Sequence, residues 1–367
     1  METPEINATT LSDWLESGKK VTVLDVRPKE QREEWHIPGS IYVDAYKRLN
    51  AGDASVLDEV TIPANIPVVT VCSAGRTSRI AANELKKKGI EAYSLENGMK
   101  GWSFAWNSAL IEFANYTVIQ LRRTGKGCLS YIIISNKEAN IIDASLPVEV
   151  YENILKESGW NLNAVLETHI HADHLSRSKQ LAERFNVELF LPIPNKVTFP
   201  YQPLEPGQTL TFNKLSVKVI PTPGHTKESV SFLLNNEVLF TGDTLFTNSV
   251  GRPDLKADYG EAKQRAELLY DSLQVLKTLN DSIIVLPAHT NIPAAFDHKP
   301  IMATLNEIKK NVHLLNLSKS EFTETILAKL PPTPANFLEI VEKNLQGDFS
   351  DINPSDLEAG ANRCAIN

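Results

Sequence analysis

The chain has 367 residues, which as a prior gives two domains, and its 42% hydrophobic content supplies apolar residues enough for two cores. A net charge of −8 argues against a nucleic-acid or anionic-membrane partner. No apolar run approaches the roughly 20 residues needed to span a bilayer.

Residues 1–110 alternate strand and helix. "TLSDWLES" reads as a helix, with Thr10 and Asp13 in capping-box spacing and Gly18 as terminator. "VTVLDV" (21–26) and "IPVVTVC" (66–72) read as strands buried on both faces. "RTSRIAANELKKKG" places Ile80, Ala81 and Leu85 at helical spacing and closes at Gly89. This alternation predicts a small α/β domain with a mostly parallel sheet. From residue 116 the grammar changes to successive strands, "YTVIQLRR" (116–123), "CLSYIIIS" (128–135) and "ANIIDAS" (139–145), with Asn136 and Lys137 in a turn. The helix "VEVYENILKESG" leads to strand "AVLET" (164–168), and "LSVKVIPT" (215–222), "SVSFLL" (229–234), "EVLFTG" (237–242) and "SIIVLPAH" (282–289) follow. The expected organisation is 1–110, 111–315, and a helical tail, 316–367, packed on the second domain.

The beginning, "METPEINATT", has no basic n-region and no apolar h-region, so no secretory signal is expected. Cys72, Cys128 and Cys364 are too few and too odd for a disulfide framework. They suit a reducing compartment, and a cytoplasmic location is the expectation.

"VCSAGRTS" (71–78) runs from a strand end into a helix, where backbone N–H groups and the helix dipole stabilise a thiolate or bound anion. Arg76 and Arg79 add positive charge. A buried structural cysteine is the plainer reading, but the small residues beside Cys72 let the backbone wrap an anion. "LDVRPKEQREEWHIPGSIYVD" (24–44), "CSAGRT" (72–77) and "LENGMKGW" (95–102) make residues 1–110 resemble a single-domain rhodanese. The resemblance implies sulfurtransfer with Cys72 as a persulfide carrier and Ser73, Ala74, Gly75, Arg76, Thr77 and Ser78 as its loop. Related phosphatases place an arginine where this chain has Ser78, which disfavours phosphatase chemistry. His36, in the "HIPG" turn, reads as structural.

"THIHADH" (168–174) supplies His169, His171, Asp173 and His174. "TPGHT", "FTGDTLF" and "LPAHT" add His225, Asp243 and His289, each after a strand. A lone histidine at one of these places would be packing or surface; seven ligand-type residues at strand ends make a metal site. The arrangement resembles the metallo-β-lactamase fold, an αββα sandwich, over about 112–300. Fold alone leaves chemistry open. The seven residues permit a glyoxalase II-like thioester hydrolase with two Zn(II) or Fe ions.

"GDTLFTNSVGRPDL" (242–255) and the attached rhodanese resemble rhodanese–persulfide dioxygenase fusions. That resemblance implies one Fe(II) per chain on His169, His225 and Asp243, with Zn(II) as the alternative metal. His171, Asp173, His174 and His289 then orient ligands or hold water, or bind a second metal. Arg252 is a candidate for the substrate carboxylate, against an equal structural alternative as an ion pair with Asp254. Cys128 reads as core, Cys364 as a packed or surface residue rather than a sulfur-relay thiol, and His298 and His313 as surface. The implied reaction is oxidation of a low-molecular-weight thiol persulfide, such as glutathione persulfide, by O2 to sulfite and thiol. Rhodanese transfer among thiosulfate, sulfite and thiol persulfide accompanies it, in sulfide detoxification. Partners are these small molecules, with no nucleic acid and no membrane; relatives of this fold often dimerise, which leaves a homodimer open. The alternatives are the Zn-dependent hydrolase, a rhodanese segment that only docks partners, and a sulfur carrier or sensor with an inert metal site.

Overall fold

The computed structural model describes residues 4–192, 196–255, 257–334, 336–360 and 362–366. Its first unit is a five-stranded, wholly parallel sheet in the order Glu5–Ile6, Ala92–Leu95, Val68–Val71, Thr22–Asp25, Ile41–Tyr42. The two central strands are fully buried, as their unbroken β-branched runs require. The helix Arg76–Lys87 packs on the sheet through Ala81, Ala82 and Leu85. The first helix is Ala8–Glu16, and its N-cap is Asn7, whose side chain accepts from Thr10 N–H at 2.8 Å. The expected Thr10–Asp13 capping box is therefore corrected: Asn7 enters one turn earlier and takes the orphan donor.

Two further sheets stack face to face. One has seven strands, running from Gln202–Pro203 at one edge to Asn107–Glu112 at the other. The other has six, from Thr209–Phe212 to Ala303–Thr304. Their inner faces share one core around Val118, Tyr131, Leu166, Val219, Phe232 and Phe240. Helices Val148–Ser158 and Ser178–Phe185 cover one outer face, and Tyr259–Lys277 and Lys319–Ala328 the other. This is the αββα arrangement that the resemblance to the metallo-β-lactamase fold implied. The edge strand Asn107–Glu112 lies across the 110/111 boundary drawn from sequence and pairs with Thr117–Arg122 in this sandwich. No helix among the described residues is long and apolar enough to cross a membrane.

The layers place the chemistry at one end. Leu215–Pro221, Val238–Gly242 and Ile284–Pro287 each end just before His225, Asp243 and His289, and Asn161–Leu166 ends before the histidine loop.

The tail crosses that same end and reaches both units. Ala365–Ile366 pairs with Val250–Gly251. Arg363 pairs with Glu34 of the first unit at 2.6 Å. Glu358, fully buried, meets Arg123 at 2.6 Å and Arg177 at 2.8 Å.

Candidate metal centre and cysteine loop

His169, His225 and Asp243 converge, with one donor atom from each within 4.8 Å of the others, all buried. Each imidazole is oriented from behind. His225 Nδ1–H donates to the Arg252 carbonyl at 2.7 Å, which leaves Nε2 toward Asp243 at 3.5 Å. Thr168 Oγ1–H donates to Asp143 at 2.9 Å, so that oxygen accepts from His169 Nδ1–H, also at 2.9 Å. His169 Nε2, aimed into the site, is buried without a hydrogen-bond partner. An orphaned acceptor beside a second imidazole and a carboxylate fits a metal ion. Glycines make room for this: a Cβ on Gly242, at φ +52°, would lie 2.6 Å from Thr168 Oγ1. One on Gly251 would overlap the Asp243 carbonyl.

Burial lowers the pKa of both His169 and His225, which keeps them neutral and able to ligate. Burial raises that of Asp243, but His289 outweighs it and holds the carboxyl below its ordinary range.

His171 is turned elsewhere. Its Nε2 lies 3.0 Å from Glu167 and 3.4 Å from Asp143, and burial notwithstanding these two carboxylates raise its pKa well above the ordinary value. Asp173, His174 and His289 form a separate group, and Cys128 belongs to it. Cys128, expected as plain core, is buried with its thiol 3.3 Å from Asp173. Cys364, expected as a packed or surface residue, is buried with its sulfur grouped with Asp243 and His289. Of the packed and surface alternatives it is the packed one, among polar groups that were not foreseen.

Of the two equal readings of Arg252, the structure shows the ion pair with Asp254. The arginine is fully buried, bidentate to Asp254 at 2.7 Å, and donates to the carbonyls of Pro331, Pro332 and Arg363. Its donors hold the tail in place and are not presented to a substrate carboxylate.

Two residues were missed. Asn344 Nδ2 donates to the carbonyls of His171 and His174 at 2.8 and 2.9 Å, and its Oδ1 accepts from Ser176 N–H. Glu358 accepts from Leu175 N–H at 3.2 Å. Neither lies in a motif; both come from the tail, more than 160 residues from the loop they hold.

A cavity of about 490 Å³ opens onto His225, walled by Ile170, Leu255, Phe337 and Val341 with Lys227 and Arg265 at its edge. A larger one, about 620 Å³, lies between the two units and contains none of the candidate ligands; the exposed His298 lines it and pairs with Glu16. His313 is exposed.

In the first unit Cys72 sits at the mouth of the loop Ser73–Ser78. Gly75 N–H donates to its sulfur at 3.2 Å, and Ser78 Oγ lies 3.3 Å away. Gly75, at φ +88°, begins the helix, and a Cβ on Gly98 would lie 2.1 Å from the Cys72 carbonyl. Arg79 turns outward to Glu5, Arg76 is exposed, and His36 contacts the Arg32 carbonyl. A cleft of about 260 Å³ at Ser73 is lined by Arg27, Trp35, Lys100 and Gly360.

The profile of the metallo-beta-lactamase superfamily matches residues 123–289, and that of the rhodanese-like domain matches residues 7–105. A hydroxyacylglutathione hydrolase of Prochlorococcus marinus (strain MIT 9301) is 33% identical over 201 residues, covering 51% of this chain and 78% of that protein. The crystal structure of ETHE1 from Myxococcus xanthus is 28% identical with a TM-score of 0.54, over 61% of this chain and 96% of that one. A metallo-beta-lactamase from Staphylococcus aureus subsp. aureus COL is 25% identical with a TM-score of 0.57, over 67% and 74% of the two chains. The chain belongs to the metallo-beta-lactamase superfamily, with a rhodanese-like domain ahead of the sandwich. It is an enzyme of that superfamily whose buried donor groups suit a metal.

Proposed function

We propose that this protein oxidises a low-molecular-weight thiol persulfide to sulfite and thiol, and that Cys72 transfers sulfane sulfur to or from the same pool. The observation that carries this is the position of His171. Held by Asp143 and Glu167, it leaves a face of two histidines and one carboxylate at His169, His225 and Asp243. That donor set suits Fe(II) with several positions left open. Iron(II) held there would supply oxygen activation. The chain's own residues do the rest. Thr168 and the Arg252 carbonyl fix the two imidazole tautomers. Ile170, Phe337 and Val341 give the approach apolar walls, and Lys227 and Arg265, each paired with Glu261 at 2.8 Å, stand at its edge. The cavity volume lies within the roughly 300–1,000 Å³ of small-molecule sites. Overall, RSSH, O2 and H2O give RSH, SO3²⁻ and two protons.

In the first unit, the Cys72 thiolate attacks the sulfane sulfur of thiosulfate; the S–S bond breaks, sulfite leaves, and Cys72 carries a persulfide. Gly75 N–H and Ser78 Oγ stabilise the charge on sulfur. A cytoplasmic setting and one iron per chain complete the reading. Placing the two sites on one chain raises the effective concentration of a shared sulfur species.

A second reading, a metal-dependent thioester hydrolase, is favoured by the hydroxyacylglutathione hydrolase relatives and by the grouping of Asp173, His174 and His289. Side-by-side turnover separates them. The first reading expects sulfite from glutathione persulfide and negligible hydrolysis of S-lactoylglutathione. Thioester hydrolysis without sulfite would replace it by the second.

A further inference from the structure

We propose that Ser94 is a positioning residue for sulfur transfer at Cys72, acting through the hydroxyl of Ser78. The inference rests on the sulfurtransfer reading of the first unit and lies one layer behind its loop. Ser94, on the strand Ala92–Leu95, is fully buried and donates its hydroxyl to Ser78 Oγ at 3.0 Å. Ser78, equally buried in the first turn of the helix Arg76–Lys87, lies 3.3 Å from Cys72 Sγ and 3.0 Å from the Gly75 carbonyl. One hydroxyl therefore has a donor behind it and two acceptors for its single proton.

Most buried side-chain hydroxyls pair with backbone. Thr70, in the same buried layer, follows that habit, its hydroxyl shared between the carbonyls of Ser78 and Tyr93 at 2.7 and 3.1 Å. Ser94, next along the strand from Tyr93, gives its proton to another hydroxyl instead. A pair of hydroxyls in a core otherwise built of apolar strand residues costs stability unless both are satisfied, and once satisfied they polarise one another.

The pairing changes with the charge on sulfur. When Cys72 is a thiol, the Ser78 proton goes to the Gly75 carbonyl. When it is a thiolate, that proton turns to Sγ and joins Gly75 N–H, which already donates there at 3.2 Å. Ser94 donates to Ser78 in both states, but its donation strengthens Ser78 most where Ser78 faces a full charge. Loading joins the Cys72 thiolate to the sulfane sulfur of thiosulfate, breaks the S–S bond of that ion and releases sulfite, so charge leaves Sγ. Discharge to cyanide breaks the new S–S bond, gives thiocyanate and returns the electron pair to Sγ. Ser94 and Ser78 thus stabilise the start of loading and the end of discharge.

The two half-reactions separate this role from a structural one. Rapid-quench mass measurement on the whole chain follows the gain of one sulfur from thiosulfate and its loss to cyanide. The rates are taken on the alkaline plateau, where loading no longer rises with pH. Ser94→Ala is expected to slow discharge and to leave loading equal or faster. The ratio of loading to discharge rate constants should rise about 2–12-fold, the worth of one net hydrogen bond, divided about evenly between the steps. The rising limb of the loading profile should move to higher pH. In a Ser78→Ala background the same substitution should change the ratio no further. A poorly folding variant lowers the amplitudes of both steps and does not imitate this result. An unchanged ratio, or an equal effect of Ser94→Ala with and without Ser78, would overturn the proposal while leaving sulfurtransfer by Cys72 in place. Wild-type protein that takes no sulfur onto Cys72 from thiosulfate would remove that reading, and this inference with it.

Discussion

Replacing Glu358 with glutamine tests how the tail holds the metal loop. Glu358 is fully buried against Arg123 and Arg177, and accepts from the amide of Leu175 beside His174. Burial raises its pKa, but the two guanidiniums outweigh this and hold it at about 2 against an ordinary 4.5. That difference corresponds to about 3 kcal/mol of stability at neutral pH. It agrees with the roughly 3–5 kcal/mol lost when one partner of a buried ion pair is removed. Because the folded pKa is depressed, the stabilisation is complete above about 4.5 and is lost as pH falls from there through about 2. Glu358→Gln should therefore lower the urea midpoint by roughly 1 M at pH 7, followed by tryptophan fluorescence. The gap to wild type should narrow by about 1 kcal/mol at pH 4, where the unfolded carboxyl is already largely protonated. A loss under about 1 kcal/mol at pH 7, or a gap unchanged at pH 4, would refute the ion-pair account of the tail.

Cys72→Ser should abolish sulfur transfer from thiosulfate to cyanide while leaving sulfite formation from glutathione persulfide within about twofold; loss of both would mean that Cys72 also serves the metal site. Gly242→Ala forces a side chain into positive φ and against Thr168, so it should cost about 1–3 kcal/mol in urea unfolding. The same variant should retain less metal after dialysis, because Thr168 orients His169. Asn344→Ala removes both donors from the His171 and His174 carbonyls and should cost about 1–3 kcal/mol, read by the same unfolding assay.

The sandwich was legible because its strands announce themselves: "CLSYIIIS" and "EVLFTG" are buried along their whole length as Leu129–Ser135 and Val238–Gly242. Asn136 and Lys137, expected in a turn, both adopt positive φ. Local signals also placed the candidate ligands at strand ends. What the sequence did not carry was orientation. His171 is two residues from His169, yet Asp143 and Glu167 draw it to another partner set, and no spacing rule contains that competition. Arg252 follows the same logic: the sequence left a substrate contact and an ion pair with Asp254 equal, and only the fold brings the three tail carbonyls that use up its remaining donors. Asn344 and Glu358 were invisible because they act on a loop far away in sequence and sit in no recurrent pattern. The helix start at Asn7 went unseen because Thr10 and Asp13 offered a competing cap one turn later.

Oxygen consumption tests the central claim most directly. Protein purified without air and loaded with iron should take up one O2 per sulfite formed from glutathione persulfide. Iron should stand near one per chain, and His225→Ala should lose both the iron and the uptake. Iron-loaded protein that consumes no oxygen with this substrate would contradict the account and leave the sandwich among the hydrolases.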